Sequence, residues 1–321
     1  MVVQKKNKIY IVAYHYVRPI KKSKYKNLKG LEFDKFREQI NFFKKKFNIL
    51  DFEDFYEIVN LGKKIPKKPS ILLTFDDGYK DHFDFVFPYL IQKNIKAIFY
   101  PPTKVIDNKI VLDVNKIHFV LAKEQNRDRL LKEIKFIYKN KYNTDINYES
   151  KIKKISSKNH KFDDSKTTLI KSLLQYLLPK KHRGKVLTIL FSKVIDIEEK
   201  DFAKKIYMNK KNIIEMNSNE MSFGIHGENH YWWEYLDKKS QKKEVKNSIG
   251  YFKKLNFETD NISVCYPHGS YNQTTLNILK DFNVSFALTT KTGFIDNKII
   301  KSKYRLPRYD TNDFLNRRDI Q

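Results

Sequence analysis

"ILLTFDDGYKD", residues 71–81, begins as an aliphatic run and ends in two adjacent carboxylates and a glycine. The apolar part reads as a strand buried on both faces, as in a parallel sheet covered by helices. Neighbouring anions repel each other, and a buried unpaired charge is costly. Asp76 and Asp77 at the end of such a strand therefore call for solvent or a cation.

The flanks carry the same grammar. Residues 8–17 read as a strand and 34–48 as a helix, with Phe36, Ile40, Phe43 and Phe47 at helical spacing and Asp34 as its cap. A strand over 70–77 follows, then a helix over 81–94 despite Pro88, then a strand over 96–102 closed by two prolines. Strand, helix and strand at these lengths make a βαβ unit with a parallel sheet. From about 108 to 215 the texture is helical and lysine-rich, with Gly184 and Pro179 marking a break near 179–184. Then α/β texture returns: "MSFGIHG" as a strand end, a helix over 238–256, "ISVCYPHG" as a strand, "NQTTLNILKDFN" as a helix and "SFALTT" as a strand.

The 321 residues are 40% hydrophobic and 14% aromatic, enough for a sizeable core, and exclude a disordered chain. The net charge of +27 attracts anions, whether nucleic acid, an anionic membrane face or a phosphorylated ligand. Lysine dominates over arginine and no arginine stripe interleaves with aromatics, which disfavours nucleic acid. Cys265 is the single cysteine, so no internal disulfide forms, as suits a reducing compartment. The opening "MVVQKKNKIYIVAYHYV" has too short an apolar run for a secretory signal, and no run reaches membrane-span length. The expectation is a cytoplasmic protein, touching at most the inner membrane face.

Strand ends of a parallel α/β fold gather on one face, where ligands collect. Here the expected strand ends carry Tyr14-His15, Asp76-Asp77, His226 with His230, and Tyr266-Pro267-His268-Gly269. His226 and His230 are four apart, so a helical turn would put both imidazoles on one face, as two metal ligands require. One carboxylate and two imidazoles leave a coordination position open, the pattern of a catalytic metal rather than a structural one. The second carboxylate would then stand beside an activated water, placed to take its proton.

"TFDDG", "HGENH" and "YPHGSYN", in that order, resemble the polysaccharide deacetylases, carbohydrate esterase family 4 with the NodB-homology domain. The resemblance covers roughly 8–107 and 216–310. It implies an α/β fold: a distorted (β/α)7-type barrel over 1–107 and 216–321, with an inserted basic helical subdomain over 108–215. It also implies metal-dependent hydrolysis of an N-acetyl group on a sugar, with Asp76 as general base and Asp77, His226 and His230 as metal ligands. Zinc suits that set, and cobalt, nickel and iron fit the same ligand types. Tyr266, Pro267, His268 and Gly269 match the substrate groove, their backbone N–H groups holding the oxyanion. Trp232 follows the second histidine as a sugar-stacking residue, with Trp233 as packing.

Three departures stand out. Gly227 replaces the family's Ser or Thr, and His268 an aromatic residue. No histidine follows "SFALTT", where the family keeps its general acid; "IVAYHYV" instead resembles the opening of circularly permuted relatives, which puts His15 in the acid's place. Arg308, rather than Arg305, is expected to pair with Asp76. Thr103 reads as structural, Asp81 as a helix cap, His82 as a surface residue and Cys265 as buried and inert. The substrate expected is an N-acetylated sugar, lipid-linked or nucleotide-linked, in surface-glycan assembly. Two other readings fit the same motifs: a deformylase or O-acetyl esterase of the same fold, and a glycan-binding relic without catalysis.

Overall fold

The computed structural model describes residues 7–107, 109–146 and 163–315. The chain forms two compact units, one of Met1–Arg18, Gly30–Asn108 and Lys204–Gln321, the other of Pro19–Lys29 and Lys109–Ala203.

The first unit is built on strands β1 (Ile9–Tyr14), β2 (Val17–Arg18), β3 (Leu31–Glu32), β4 (Asn48–Leu50), β5 (Ser70–Asp76), β6 (Ile98–Tyr100), β7 (Ser222–Phe223), β8 (Val264–Cys265), β9 (Ala287–Leu288) and β10 (Tyr309–Asp310). β5 holds the decisive stretch, and every one of its residues is buried. It pairs in parallel with β1 along one edge, and with β4 and then β6 along the other. β6 pairs with β7, a bridge from Ile225 to Val264 leads on to β8, and β8 pairs with β9. Leu288 then bridges to Leu306, and β10 returns to β1 through Val12 and Ala13. Seven parallel strands (β1, β5, β6, β7, β8, β9, β10) thus close a ring among the described residues, the barrel that the α/β alternation and the family motifs imply. Four of them keep only two residues of regular pairing, which is the distortion.

Periodicity places the helices well and their ends less well. The helix Phe33–Lys46 buries Phe36, Ile40 and Phe43 as expected, but its N-cap is Glu32, and Asp34 lies in the first turn. Asp34 still favours the helix there, as an anion near the positive end of the dipole. The segment after β5 is a π-turn, His82–Val86, running into the helix Phe87–Gln92. Pro88 stands in that helix's first turn, where its missing N–H costs nothing. Asp81 makes no side-chain cap bond. Contrary to expectation, Asp81 and His82 are both buried, His82 with no exposed surface at all.

The second unit contains the helices Asp113–Lys123, Arg127–Tyr142, Ser165–Ser172 and Lys180–Ile195. Pro179 caps the last of these, at the break the sequence marks. Tyr25 packs edge-on against Phe119, joining Pro19–Lys29 to this unit. Among the described residues no helix is long and apolar enough to cross a membrane.

Candidate active site

The strand β5 runs straight until Asp77, where φ is +70°, and Gly78, where φ is +67°. A Cβ on Gly78 would stand 2.6 Å from Cβ of Pro101, so glycine is required at this turn. The turn sends the two carboxylates apart. Asp76 faces Arg308, and Asp77 faces the histidines.

Arg308 grips Asp76 with two parallel bonds, Nη1 to Oδ1 at 2.9 Å and Nη2 to Oδ2 at 2.7 Å. It also donates to Oγ1 of Thr74, the carbonyl of Thr289 and Sγ of Cys265. Burial pushes the Asp76 carboxyl up, but the charge and hydrogen bonds of Arg308 outweigh it and bring it down to about 2. Arg305 is exposed. Cys265 is buried but not isolated: its Sγ accepts from Arg308 at 2.9 Å and lies 3.5 Å from Oδ2 of Asp76.

Oδ2 of Asp77 accepts from the buried Tyr79 hydroxyl at 2.5 Å. Among the described residues, Oδ1 is buried with no hydrogen-bond partner. It lies 3.5 Å from Nε2 of His226 and 3.3 Å from Nε2 of His230, and the two Nε2 atoms are 3.1 Å apart. His226 donates from Nδ1 to the Cys265 carbonyl at 2.7 Å, which fixes Nε2 as the lone-pair nitrogen of the neutral ring. An orphaned carboxylate oxygen and imidazole nitrogens facing one point need a cation. A tetrahedral zinc with bonds of about 2.0–2.1 Å holds its ligand atoms about 3.3–3.4 Å apart. The three observed separations bracket that value, so these residues fit a divalent metal.

The histidine loop is no helical turn. Gly227 has φ +73° and His230 has φ +58°, and the chain folds back on itself. Glu244, from the helix Lys238–Lys253, holds it: its buried carboxylate accepts from the backbone N–H groups of Glu228 and Asn229 and from the Asn229 amide. A Cβ at 227 would come within 2.9 Å of Oε2 of Glu244, which explains why glycine replaces the family's hydroxyl residue. Thr103 donates its backbone N–H to the Gly227 carbonyl, consistent with a structural role.

His15 follows β1, half exposed, with Nε2 3.9 Å from Oδ2 of Asp76. Trp232 is partly exposed and stacks on His268 at 4.4 Å and 9°; His268 in turn meets His230 edge-on at 4.3 Å. Trp233 is fully buried. The Tyr266 stretch departs from its expected use. The Tyr266 N–H donates to the Leu288 carbonyl, Pro267 has none, and the Gly269 N–H donates to the Tyr266 carbonyl. Pairing with β9 and the turn after it consume the Tyr266 and Gly269 donors, whereas among the described residues the His268 N–H makes no backbone bond outside its own turn. Tyr79, His82 and Glu244 are the residues that sequence reasoning missed. Only their adjacency to the DDG turn or the histidine loop in space marks them.

A ring of parallel strands with carboxylates and histidines converging at one mouth defines a metal-dependent hydrolase of the (β/α)-barrel class. The family model described as "Polysaccharide deacetylase" matches residues 63–143 and 151–287, and the chain belongs to that family of sugar deacetylases. Its substrate class is therefore an acetylated carbohydrate. No curated protein matches the sequence. Among solved structures, the Streptococcus pyogenes deacetylase PplD in complex with acetate is 19% identical, with TM-score 0.58, covering 95% of this chain and 92% of its own. IcaB from Ammonifex degensii is 15% identical with TM-score 0.52, covering 89% and 85%. A de-N-acetylase from Aggregatibacter actinomycetemcomitans is 13% identical with TM-score 0.55, covering 94% of each chain. At these identities the likeness is one of fold.

Proposed function

We propose that the protein removes the N-acetyl group from an N-acetylated sugar, releasing acetate and a free amine. The reading rests on the Asp77–His226–His230 cluster and its orphaned carboxylate oxygen, beside a second carboxylate locked by arginine. Asp77, His226 and His230 would hold a divalent cation; two nitrogens and one oxygen suit zinc, and cobalt, nickel and iron take the same donors. Bound there, the cation supplies a Lewis acid for the acetyl carbonyl and lowers the pKa of the attacking water.

The remaining work falls to side chains. Asp76 takes the proton of the attacking water as its oxygen bonds to the acetyl carbon; Arg308 keeps that carboxylate ionised and aimed. The His268 N–H is the backbone donor for the oxyanion, replacing the Tyr266 N–H in that role. As the C–N bond breaks, His15 gives its proton to the departing nitrogen. His268 and Gly269 line the groove and Trp232 offers its face to a sugar ring, whereas Tyr266 and Pro267, expected beside them, are buried and support the turn from beneath. Substrate on a lipid or nucleotide carrier, handled at the cytoplasmic side of an anionic membrane, suits the +27 charge and the single cysteine.

The test pairs metal content with product. The purified protein is expected to carry about one zinc-like ion per chain, a single open site, and a His226→Ala/His230→Ala variant none. The wild type releases acetate from N-acetylglucosamine oligomers and Asp76→Asn does not. Formate as product, or an alcohol in place of the amine, would reassign the bond cleaved. No site-dependent metal and no acetate would leave a glycan-binding relic.

A further inference from the structure

His82 has no role in the proposed reaction, yet it is a fully buried ring that bonds the backbone of His15. It lies on the π-turn after the DDG motif, fully enclosed, against the rings of Phe75, Tyr79 and Phe99 at 5.3, 5.7 and 5.8 Å. Its Nε2 stands 2.8 Å from the backbone carbonyl of His15. A carbonyl oxygen only accepts, so Nε2 carries the hydrogen, and Nδ1, buried with no hydrogen-bond partner among the described residues, is the lone-pair nitrogen of a neutral ring. Burial also pulls the imidazole down to about 4, so the ring stays neutral across the physiological range.

This bond falls where β1 has already ended. β1 pairs with β5 only as far as Tyr14 opposite Phe75, so the ladder does not fix the His15 peptide. A half-exposed side chain 3.9 Å from Asp76 depends on that peptide for its aim. We propose that His82 is a positioning residue: its Nε2–H clamps the His15 carbonyl and thereby holds the His15 imidazole over Asp76 and the scissile nitrogen. The proposal rests on His15 being the proton donor. A buried histidine suits the task because it offers one rigid donor, and the aromatic walls leave the ring little freedom to turn. Misplacing a reacting group by about 1 Å can cost about 100-fold in rate.

The experiment is a double-mutant cycle on the zinc-loaded protein, with acetate release from an N-acetylglucosamine oligomer as readout. His82→Phe keeps the ring volume and deletes the donor; His82→Gln keeps an N–H at similar reach. His82→Phe is expected to lower kcat by about 10-fold or more, with KM changed less than about 2-fold and zinc content unchanged. His82→Gln should recover most of that loss. In a His15→Ala background, which itself loses activity, His82→Phe should cost nothing further. An equal loss in both backgrounds would make His82 a general packing residue and overturn the proposal while leaving His15 as the acid. Full activity of His15→Ala would overturn the acid assignment and the proposal with it. A second measurement does not depend on the variants folding. Ring nitrogen chemical shifts of wild-type His82 should report a neutral Nε2–H tautomer at neutral pH, and an Nδ1–H or charged ring would overturn the clamp.

Discussion

At position 227 the missing side chain and the buried Glu244 are two halves of one arrangement. The loop carrying His226 and His230 has left-handed backbone at Gly227 and His230, and its amides at 228 and 229 point inward. Glu244 satisfies those amides from a neighbouring helix, filling the space a Ser or Thr side chain would take. Outer partners of metal ligands set ligand orientation, and losing one typically costs about 10–100-fold in metal affinity. Glu244→Ala is therefore expected to weaken zinc binding by that factor, measured by titrating zinc into chelator-stripped protein. Unchanged affinity would mean that the backbone alone shapes the loop. The residues at strand ends are legible in the sequence: Asp76, Asp77, His226 and His230 end apolar runs that make their polarity conspicuous, whereas Arg308, in the polar run YRLPRYD, is reached only through the family resemblance. Glu244 is not, because a glutamate in a lysine-rich helix reads as solvated. His82 is not, because its partner is a backbone carbonyl 67 positions away.

Among the elements, alternation of apolar runs and helical periodicities is enough to find β1, β5, β6, β7, β8 and β9, while the short strands β2, β3, β4 and β10 and the terminations escape. The histidine pair is expected on a helical turn; a glycine at positive φ breaks the helix, and the fold-back brings the two rings together anyway. The π-turn after β5 is another such case, since its burial depends on a pairing with β2 that no local pattern announces. Arg18 on β2 donates from Nε to Oδ2 of Asp81 at 2.6 Å and from Nη2 to Oδ1. The Asp81 carboxylate is nearly inaccessible, and burial raises its pKa despite Arg18's opposing pull. Removing one partner of such a pair strands a buried charge, so Arg18→Ala should cost about 3 kcal/mol of stability at pH 7. The stranded carboxyl rises further. Its favourable, protonated state is present below the ordinary unfolded value near 4, given for carboxylates, and is lost as pH rises through the raised value. The gap between wild type and variant should therefore narrow as pH falls from neutral towards that value, in urea unfolding at both ends of the range. A gap independent of pH would assign the cost to lost packing of the arginine stem.

Across the whole molecule, charge outweighs every other surface property. Sixty-four lysines and arginines against 37 acids leave +27, far more than one metal site or one anionic substrate group needs. Such a field acts over a Debye length, about 8 Å at physiological salt and about 3 Å at 1 M, so it governs encounter and surface association rather than chemistry at the buried site. One segment, residues 232–243, joins charge to exposed aromatics just after the His226–His230 loop. Trp232 and Tyr235 are exposed, and the helix that follows exposes Lys238, Lys239, Lys242 and Lys243. Aromatics with adjacent lysines are the composition of an interfacial contact with anionic lipid, in which each lysine contributes about 1 kcal/mol. The protein is accordingly expected to co-sediment with phosphatidylglycerol vesicles at low salt, about 0.05 M, and to be released near 0.5 M, where the screening length falls below about 5 Å. Neutral vesicles should not retain it. Reversing Lys238, Lys239, Lys242 and Lys243 to glutamate should abolish retention and leave turnover of a soluble oligomer nearly unchanged, because none of the four touches the Asp77 cluster. Retention that survives the reversal would spread the attraction over the lysines of every face and make the charge a property of composition, with no orientation of the barrel mouth towards a membrane.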